Sequence, residues 1–180
     1  MEDDAKHMTL QEQLANKSSI STTYNKYYKG QHLTFAADKT DLSSADGSID
    51  ATDVKLPFSH TSSELKYNET TGTYDHYLYG KEHVDAGNNN EVLSFENVIL
   101  QNCTFHQYDE HGYLIYNCID AGRDGYFITE GKAIPIVWKK TAETEPTTFY
   151  DMAGNAIELN TGKTYISLIP DDSWSDLTIE

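Results

Sequence analysis

The chain has 180 residues, 38% of them apolar and 12% aromatic, with 13 Tyr against 6 Phe; this fits one globular domain with a small appendage and excludes a disordered chain. Lys and Arg number 13 against 29 Asp and Glu, a formal net charge of −16, and that field disfavours nucleic acid and anionic headgroups as partners while admitting a basic protein, a metal ion or a neutral glycan. No apolar run reaches the ~20 residues of a membrane span, and Met1-Glu2-Asp3-Asp4 is acidic where a secretory leader is basic, so an export signal is expected outside this sequence.

Residues 1–31 read as a polar leader. Thr9 and Glu12 suit a capping box, and Leu10 and Leu14 support a short helix to about Asn16. Residues 32–170 read as the β-rich domain. It begins with a candidate strand at 32–36 and an acidic Ser/Asp/Gly-rich loop at 38–50. Segments 64–69 and 73–79 alternate around Thr70-Thr71-Gly72, a hairpin signal. A loop is expected over 80–90, then the longest apolar strand candidate over 92–105. Segment 113–119 answers it across Asp109-Glu110-His111-Gly112. Segments 126–129 and 133–139 flank Glu130-Gly131, and 149–150 and 156–159 flank Met152-Ala153-Gly154-Asn155. A last strand over 163–169 is stopped by Pro170, and 171–180 reads as a frayed tail with Trp174 as an anchor. Regular short strands between glycine turns predict a mainly β fold, an antiparallel meander forming a sandwich or a partly open barrel, with a short N-terminal helix.

One hairpin can be set in register. A four-residue loop at 109–112 makes Tyr108 face Tyr113, and the same register carried inward sets Cys103 opposite Cys118. Directly opposed Cα atoms lie within disulfide range, so the two cysteines are expected to be neighbours that either bridge in an oxidising compartment or stay as buried thiols.

Six motifs occur in order: Tyr74-Asp75-His76-Tyr77, Gly80-Lys81-Glu82-His83-Val84-Asp85, Glu96-Asn97-Val98-Ile99-Leu100-Gln101, Gly125-Tyr126-Phe127-Ile128-Thr129-Glu130-Gly131-Lys132, Ile136-Val137-Trp138-Lys139-Lys140 and Asn160-Thr161-Gly162-Lys163-Thr164-Tyr165-Ile166. Their order and spacing resemble the C-terminal domain of the YerB-type bacterial lipoproteins, a family with no established function. Segment 28–58 resembles the stretch that joins that domain to the family's N-terminal domain. The resemblance implies a place on the outer face of a Gram-positive-type membrane, anchored by a lipidated N-terminal Cys. This sequence lacks the lipobox Cys and most of the N-terminal domain, so it is expected to be one part of a longer or divided protein.

The most interesting constellation is His83-Val84-Asp85. Residues i and i+2 of an extended segment share a face, and an Asp beside a His can orient the imidazole for acid–base work. His76 lies seven residues earlier and can converge on the same face. Two imidazoles and a carboxylate also make a conceivable metal set. The plainer reading has His83 bonded to loop backbone and Asp85 capping the turn Ala86-Gly87-Asn88. His106, Asp109 and His111 belong to a turn, where polar residues are expected anyway.

Cys103 and Cys118 sit in apolar runs with no glycine before the thiol, which argues against a nucleophile of the L,D-transpeptidase kind. Gly122-Arg123-Asp124-Gly125 lacks the residues of a phosphate loop. Arg123 can fork onto a ligand carboxylate or pair with Asp120 or Asp124. Trp138 suits a sugar-stacking platform or a core position at a strand end. The acidic loop at 38–50 does not match calcium-loop spacing.

No cofactor is indicated and no metal centre is assigned. The expectation is an extracytoplasmic, non-catalytic domain that binds a protein partner or a cell-envelope glycan, with His83, Asp85, His76, Arg123 and Trp138 as candidate site residues. Two alternatives stand beside it: a cell-envelope hydrolase or transferase using His83 and Asp85, and a structural half that needs its N-terminal domain.

Overall fold

The computed structural model describes residues 32–180, which lie in the unit Gln31–Glu180. The leader and its helix fall outside the described residues.

Two six-stranded sheets dominate. The first runs Ile49–Asp50, Lys132–Lys140, Asp120–Thr129, Asn97–Cys103, Thr164–Pro170, with Thr148–Asp151 also paired to Lys132–Lys140. The second runs Thr178–Ile179, Asp53–Lys55, Glu64–Asn68, Thr73–Leu78, Lys81–Glu82, with Ser94–Phe95 also on Thr73–Leu78. Neither closes on itself, so the architecture is an open, sandwich-like β fold.

The reason lies in the faces. Val54, Leu65 and Tyr74 of the second sheet share one core cluster with Val98, Leu100, Ile128 and Ile169 of the first. Alternate residues of the first sheet, Ile99, Phe127, Ile134, Ile136 and Trp138, form a second cluster with Leu42, Phe149 and Leu159. Apolar surface on both sides of the first sheet is thereby removed from water, at roughly 25 cal/mol per Å². Asn97–Cys103 is buried along its whole length, as a central strand covered on both faces must be.

The hairpins follow the sequence reading closely. Glu64–Asn68 pairs antiparallel with Thr73–Leu78, and Asp120–Thr129 with Lys132–Lys140. The latter turns through Glu130 and Gly131 at φ 52° and 72°, the pair of left-handed residues that a two-residue hairpin turn requires. A Glu in that conformation is unusual. Here Lys39 holds its carboxylate at 2.8 Å and the Tyr67 hydroxyl donates to it at 3.3 Å.

Four expectations are corrected. First, the last strand is not part of an antiparallel meander. Thr164–Pro170 lies parallel to Asn97–Cys103, Ile166 opposite Ile99, because a buried central strand needs a partner on each edge and the other edge is taken by Asp120–Thr129. Second, the candidate strand over 92–105 is cut into Ser94–Phe95, Asn97–Cys103 and Phe105–Gln107, each paired to a different neighbour. Third, the loop over 80–90 contains paired segments, Lys81–Glu82 with Thr73–Leu78 and Val84–Asp85 with Glu91–Val92. Fourth, the tail is not frayed. Trp174 stacks on Tyr126 with centroids 5.9 Å apart, and Thr178–Ile179 pairs with Asp53–Lys55. At 32–36 the described residues pair through a bridge, Phe35 to Leu159, and not as a strand.

Candidate functional site

His76 and His83 do converge. Thr73–Leu78 carries His76 opposite Leu65, and the chain returns through Lys81–Glu82 so that the His83 N–H donates to the His76 carbonyl at 2.8 Å. The rings then meet Nδ1 to Nδ1 at 3.0 Å. The far nitrogen of His76, Nε2, lies 2.9 Å from Ser63 Oγ. His76 and Ser63 are buried, and Tyr165 packs its ring 5.3 Å from the His76 ring. Burial first, and the neighbouring His83 second, hold His76 below the usual histidine value of 6.5.

Hydrogen-bond arithmetic restricts this chain. An Nδ1···Nδ1 bond needs one protonated and one bare nitrogen. When Ser63 donates to His76 Nε2, His76 Nδ1 carries the proton and donates to His83; the opposite polarity runs the line the other way. A proton can therefore pass along Ser63, His76 and His83 without any heavy atom moving.

Ser63 was not singled out in the sequence, yet a signal existed. Leu65 opposes His76, and the diagonal neighbour two residues away lies on the same face of an antiparallel pair. Ser63 also borders a cleft of about 280 Å³ lined by Lys55, Leu56, Ser62, Glu64 and Gly80. Ser62, just before it, holds φ 47°.

Asp85 does not join His83. Its Oδ1 accepts the Gly87 N–H at 2.8 Å and it is exposed, so the plainer reading of this residue is the one observed. The metal set of His76, His83 and Asp85 thus lacks its carboxylate, and among the described residues no three His, Cys, Asp or Glu side chains converge.

Arg123 and Trp138 meet on a residue that sequence reading passed over. The Asn102 carbonyl accepts from Arg123 Nε and Trp138 Nε1, both at 3.1 Å, and Asn102 Oδ1 accepts from Arg123 Nη2 at 3.0 Å. Arg123 also approaches Asp171 at 3.6 Å, not Asp120 or Asp124. Trp138 is fully buried and offers no face to a sugar. Both side chains anchor main chain here, because an unpaired carbonyl on a buried strand is costly.

The anchored strand leads into an exposed hairpin. Phe105–Gln107 pairs with Leu114–Tyr116 in the anticipated register, and the Tyr108 N–H donates to the Tyr113 carbonyl at 2.6 Å. This two-stranded sheet stands apart from the two large ones. Tyr108 and Tyr113 are each 68% exposed, Leu114 50% and Ile115 41%, with Ile119 exposed nearby. Successive strand residues alternate, so Leu114 faces away from Tyr113 and Ile115, and this hairpin exposes apolar side chains on both faces, where exposed apolar residues elsewhere are common singly. At the hairpin's root both Cys103 and Cys118 carry free thiols, Cys103 buried and Cys118 half-buried.

Comparison with known proteins agrees with this architecture. Residues 54–166 match the family described as "Protein of unknown function (DUF3048) C-terminal domain". The crystal structure of the YerB protein from Bacillus subtilis superposes with a TM-score of 0.62 at 17% identity, covering 82% of this chain and 46% of that one. At that identity the likeness is one of fold, and this chain spans about half the length of the solved protein. A search among curated proteins gave no match. The chain belongs to the DUF3048 family, of which its β-rich region forms the C-terminal domain.

Proposed function

We propose that this domain is a non-catalytic docking module of an extracytoplasmic lipoprotein and that it binds a protein partner through the 105–119 hairpin. The observation that carries the reading is the solvent-facing group Tyr108, Tyr113, Leu114, Ile115 and Ile119 on a chain of net charge −16. Aromatic residues mark interface cores, and rigid rings lose little entropy on binding. Asp109 and Glu110 cap the same hairpin, so the complementary surface is an apolar groove rimmed by Lys or Arg. Leu114 and Ile115 favour protein over glycan, since sugars stack on rings and gain little from aliphatic branches. The extracytoplasmic placement rests on the resemblance to the lipoprotein family.

The test is site-specific photocross-linking in envelope membranes. A photoreactive phenylalanine at position 114 should capture one protein, and the same probe at exposed Met152 should not. Capture should disappear with Tyr113→Ser and Ile115→Ser while the melting temperature holds. Equal capture from both positions, or capture indifferent to the hairpin substitutions, removes the reading; retention on purified peptidoglycan through the same hairpin replaces it with glycan binding.

One observation favours a second reading, an envelope hydrolase. Ser63, His76 and His83 reproduce the order nucleophile, base and orienting group, with His83 in the orienting place first expected of Asp85. The chemistry would be acyl transfer, Ser63 Oγ attacking a carbonyl as His76 takes its proton. A fluorophosphonate probe should label Ser63 and lose the label in His76→Gln; an unlabelled native protein ends this reading.

A further inference from the structure

The hairpin that carries the proposed docking surface is built with the means to be locked. The Asn117 N–H donates to the Thr104 carbonyl at 2.8 Å, which continues the ladder one step beyond Phe105 and Tyr116. Hydrogen-bonded and non-hydrogen-bonded pairs alternate along an antiparallel ladder. Thr104 and Asn117 are of the first kind, as are Tyr108 and Tyr113; the same register continued one step inward, before Asp120–Thr129 takes up its own register against Asn97–Cys103, would make Cys103 and Cys118 a pair of the second kind. Opposed Cα atoms at such sites lie about 4.5 Å apart and their side chains approach closely, inside the range a disulfide spans. The thiols also feel one another: burial pushes Cys103 up to about 12, and the adjacent Cys118 adds to that rise.

We infer that Cys103 and Cys118 are a cross-strand disulfide pair that staples the root of the 105–119 hairpin in an oxidising compartment. A two-stranded sheet by itself is marginally stable in water, and this one is joined to neither large sheet. Its root is otherwise held by the bonds of Arg123 and Trp138 to Asn102 and by the Asp171 N–H, which donates to the Cys103 carbonyl at 2.9 Å. A covalent cross-link closing this short loop restricts the open states of the hairpin and pre-organises Tyr108, Tyr113 and Leu114 for a partner. The bond stands on the register alone; only its consequence for docking rests on the function proposed above.

The oxidant is a disulfide donor, either an oxidoreductase or a small-molecule disulfide. Cys118, the more exposed thiol, attacks one donor sulfur as thiolate and releases a donor thiolate. Cys103 then attacks Cys118 Sγ and releases the second. Two protein thiols are oxidised, one donor disulfide is reduced to two thiols, and the two protein protons pass to the departing thiolates. Burial of Cys103 favours this second step during folding, before the thiol is enclosed.

The experiment refolds the 180-residue chain with oxidised glutathione and maps disulfides by non-reducing proteolysis and mass spectrometry. A monomeric species with Cys103 joined to Cys118 supports the inference. Two titratable thiols after denaturation, glutathione adducts on both, or only intermolecular dimers overturn it. Hydrogen exchange then reads the consequence. Amides of 105–107 and 114–116 should exchange about tenfold or more slowly in the oxidised than in the reduced protein, with no such difference in Cys118→Ser. A bond that leaves exchange unchanged overturns the staple. Photocross-linking of oxidised and reduced forms separates the two claims, since lack of any partner defeats docking and leaves the mapped bond intact.

Discussion

His76 and His83 share a single hydrogen bond, Nδ1 to Nδ1 at 3.0 Å, and that bond survives only while at least one of the two nitrogens is bare. Both rings protonated would set two N–H groups against each other beside the buried Ser63 and the Tyr165 ring.

The consequence is a stability that falls with acid. His76 titrates below its ordinary value of 6.5 in the folded protein, so below pH 6.5 the unfolded chain binds more protons. Stability then rises with pH; the contribution is complete above the unfolded value and is lost as pH falls from 6.5 towards the folded value. One such group gives a slope of at most about 1.4 kcal/mol per pH unit. Urea midpoints between pH 7.5 and 5 should show the slope in the native protein and a flatter line in His76→Gln. An unchanged slope in the variant assigns the pH dependence elsewhere.

Trp138→Phe keeps the ring in the second core cluster and removes one of the two donors on the Asn102 carbonyl. The expected loss is about 1–2 kcal/mol, the cost of an under-satisfied buried acceptor. Trp138→Ala adds a cavity and should cost about 3–5 kcal/mol. Denaturant midpoints at constant m separate the two; a Trp138→Phe variant as stable as the native protein would mean the hydrogen bond contributes nothing.

Gly125 is fixed by close approach, not by its dihedral. It pairs with Gln101 on one side and Ile136 on the other, and a Cβ there would lie 2.5 Å from the Leu100 carbonyl oxygen. That oxygen is main chain of the most buried strand, so it cannot move aside cheaply. Gly125→Ala should destabilise by about 1–3 kcal/mol or more. A variant with the native melting temperature would show that the two strands are further apart than described.

Removing residues 174–180 uncovers Asp53–Lys55. The Glu180 carbonyl accepts from the Asp53 N–H at 2.9 Å, Ile179 lies opposite Val54, and Trp174 covers Tyr126. The truncated chain should lose about 2 kcal/mol, roughly the burial of one large apolar side chain and one ring pair. Exchange protection of residues 53–55 should drop with it; unchanged protection would restore the frayed tail.

Local pairings were written in the sequence. The turns at 109–112 and Glu130-Gly131 set their own registers, because a short loop leaves the flanking strands few ways to meet; the turn around Thr70-Thr71-Gly72 also takes in Glu69, so that Asn68 faces Thr73. The hairpin register was legible down to the pair Tyr108 and Tyr113 for that reason. Ser63 was reachable by the same logic, as the diagonal neighbour of His76, once Glu64–Asn68 had been paired with Thr73–Leu78.

Only the tertiary structure decided the rest, because those choices are settled between residues far apart in the chain. The partner of His83 is His76, brought alongside by the return of the chain through Lys81–Glu82, while Asp85 caps its own turn. The parallel seat of Thr164–Pro170 beside Asn97–Cys103 and the meeting of Arg123 and Trp138 on Asn102 follow from one fact. A strand buried on both faces must find every hydrogen-bond partner inside the protein, and an alternating pattern of side chains says which face is apolar but not which distant strand will lie alongside.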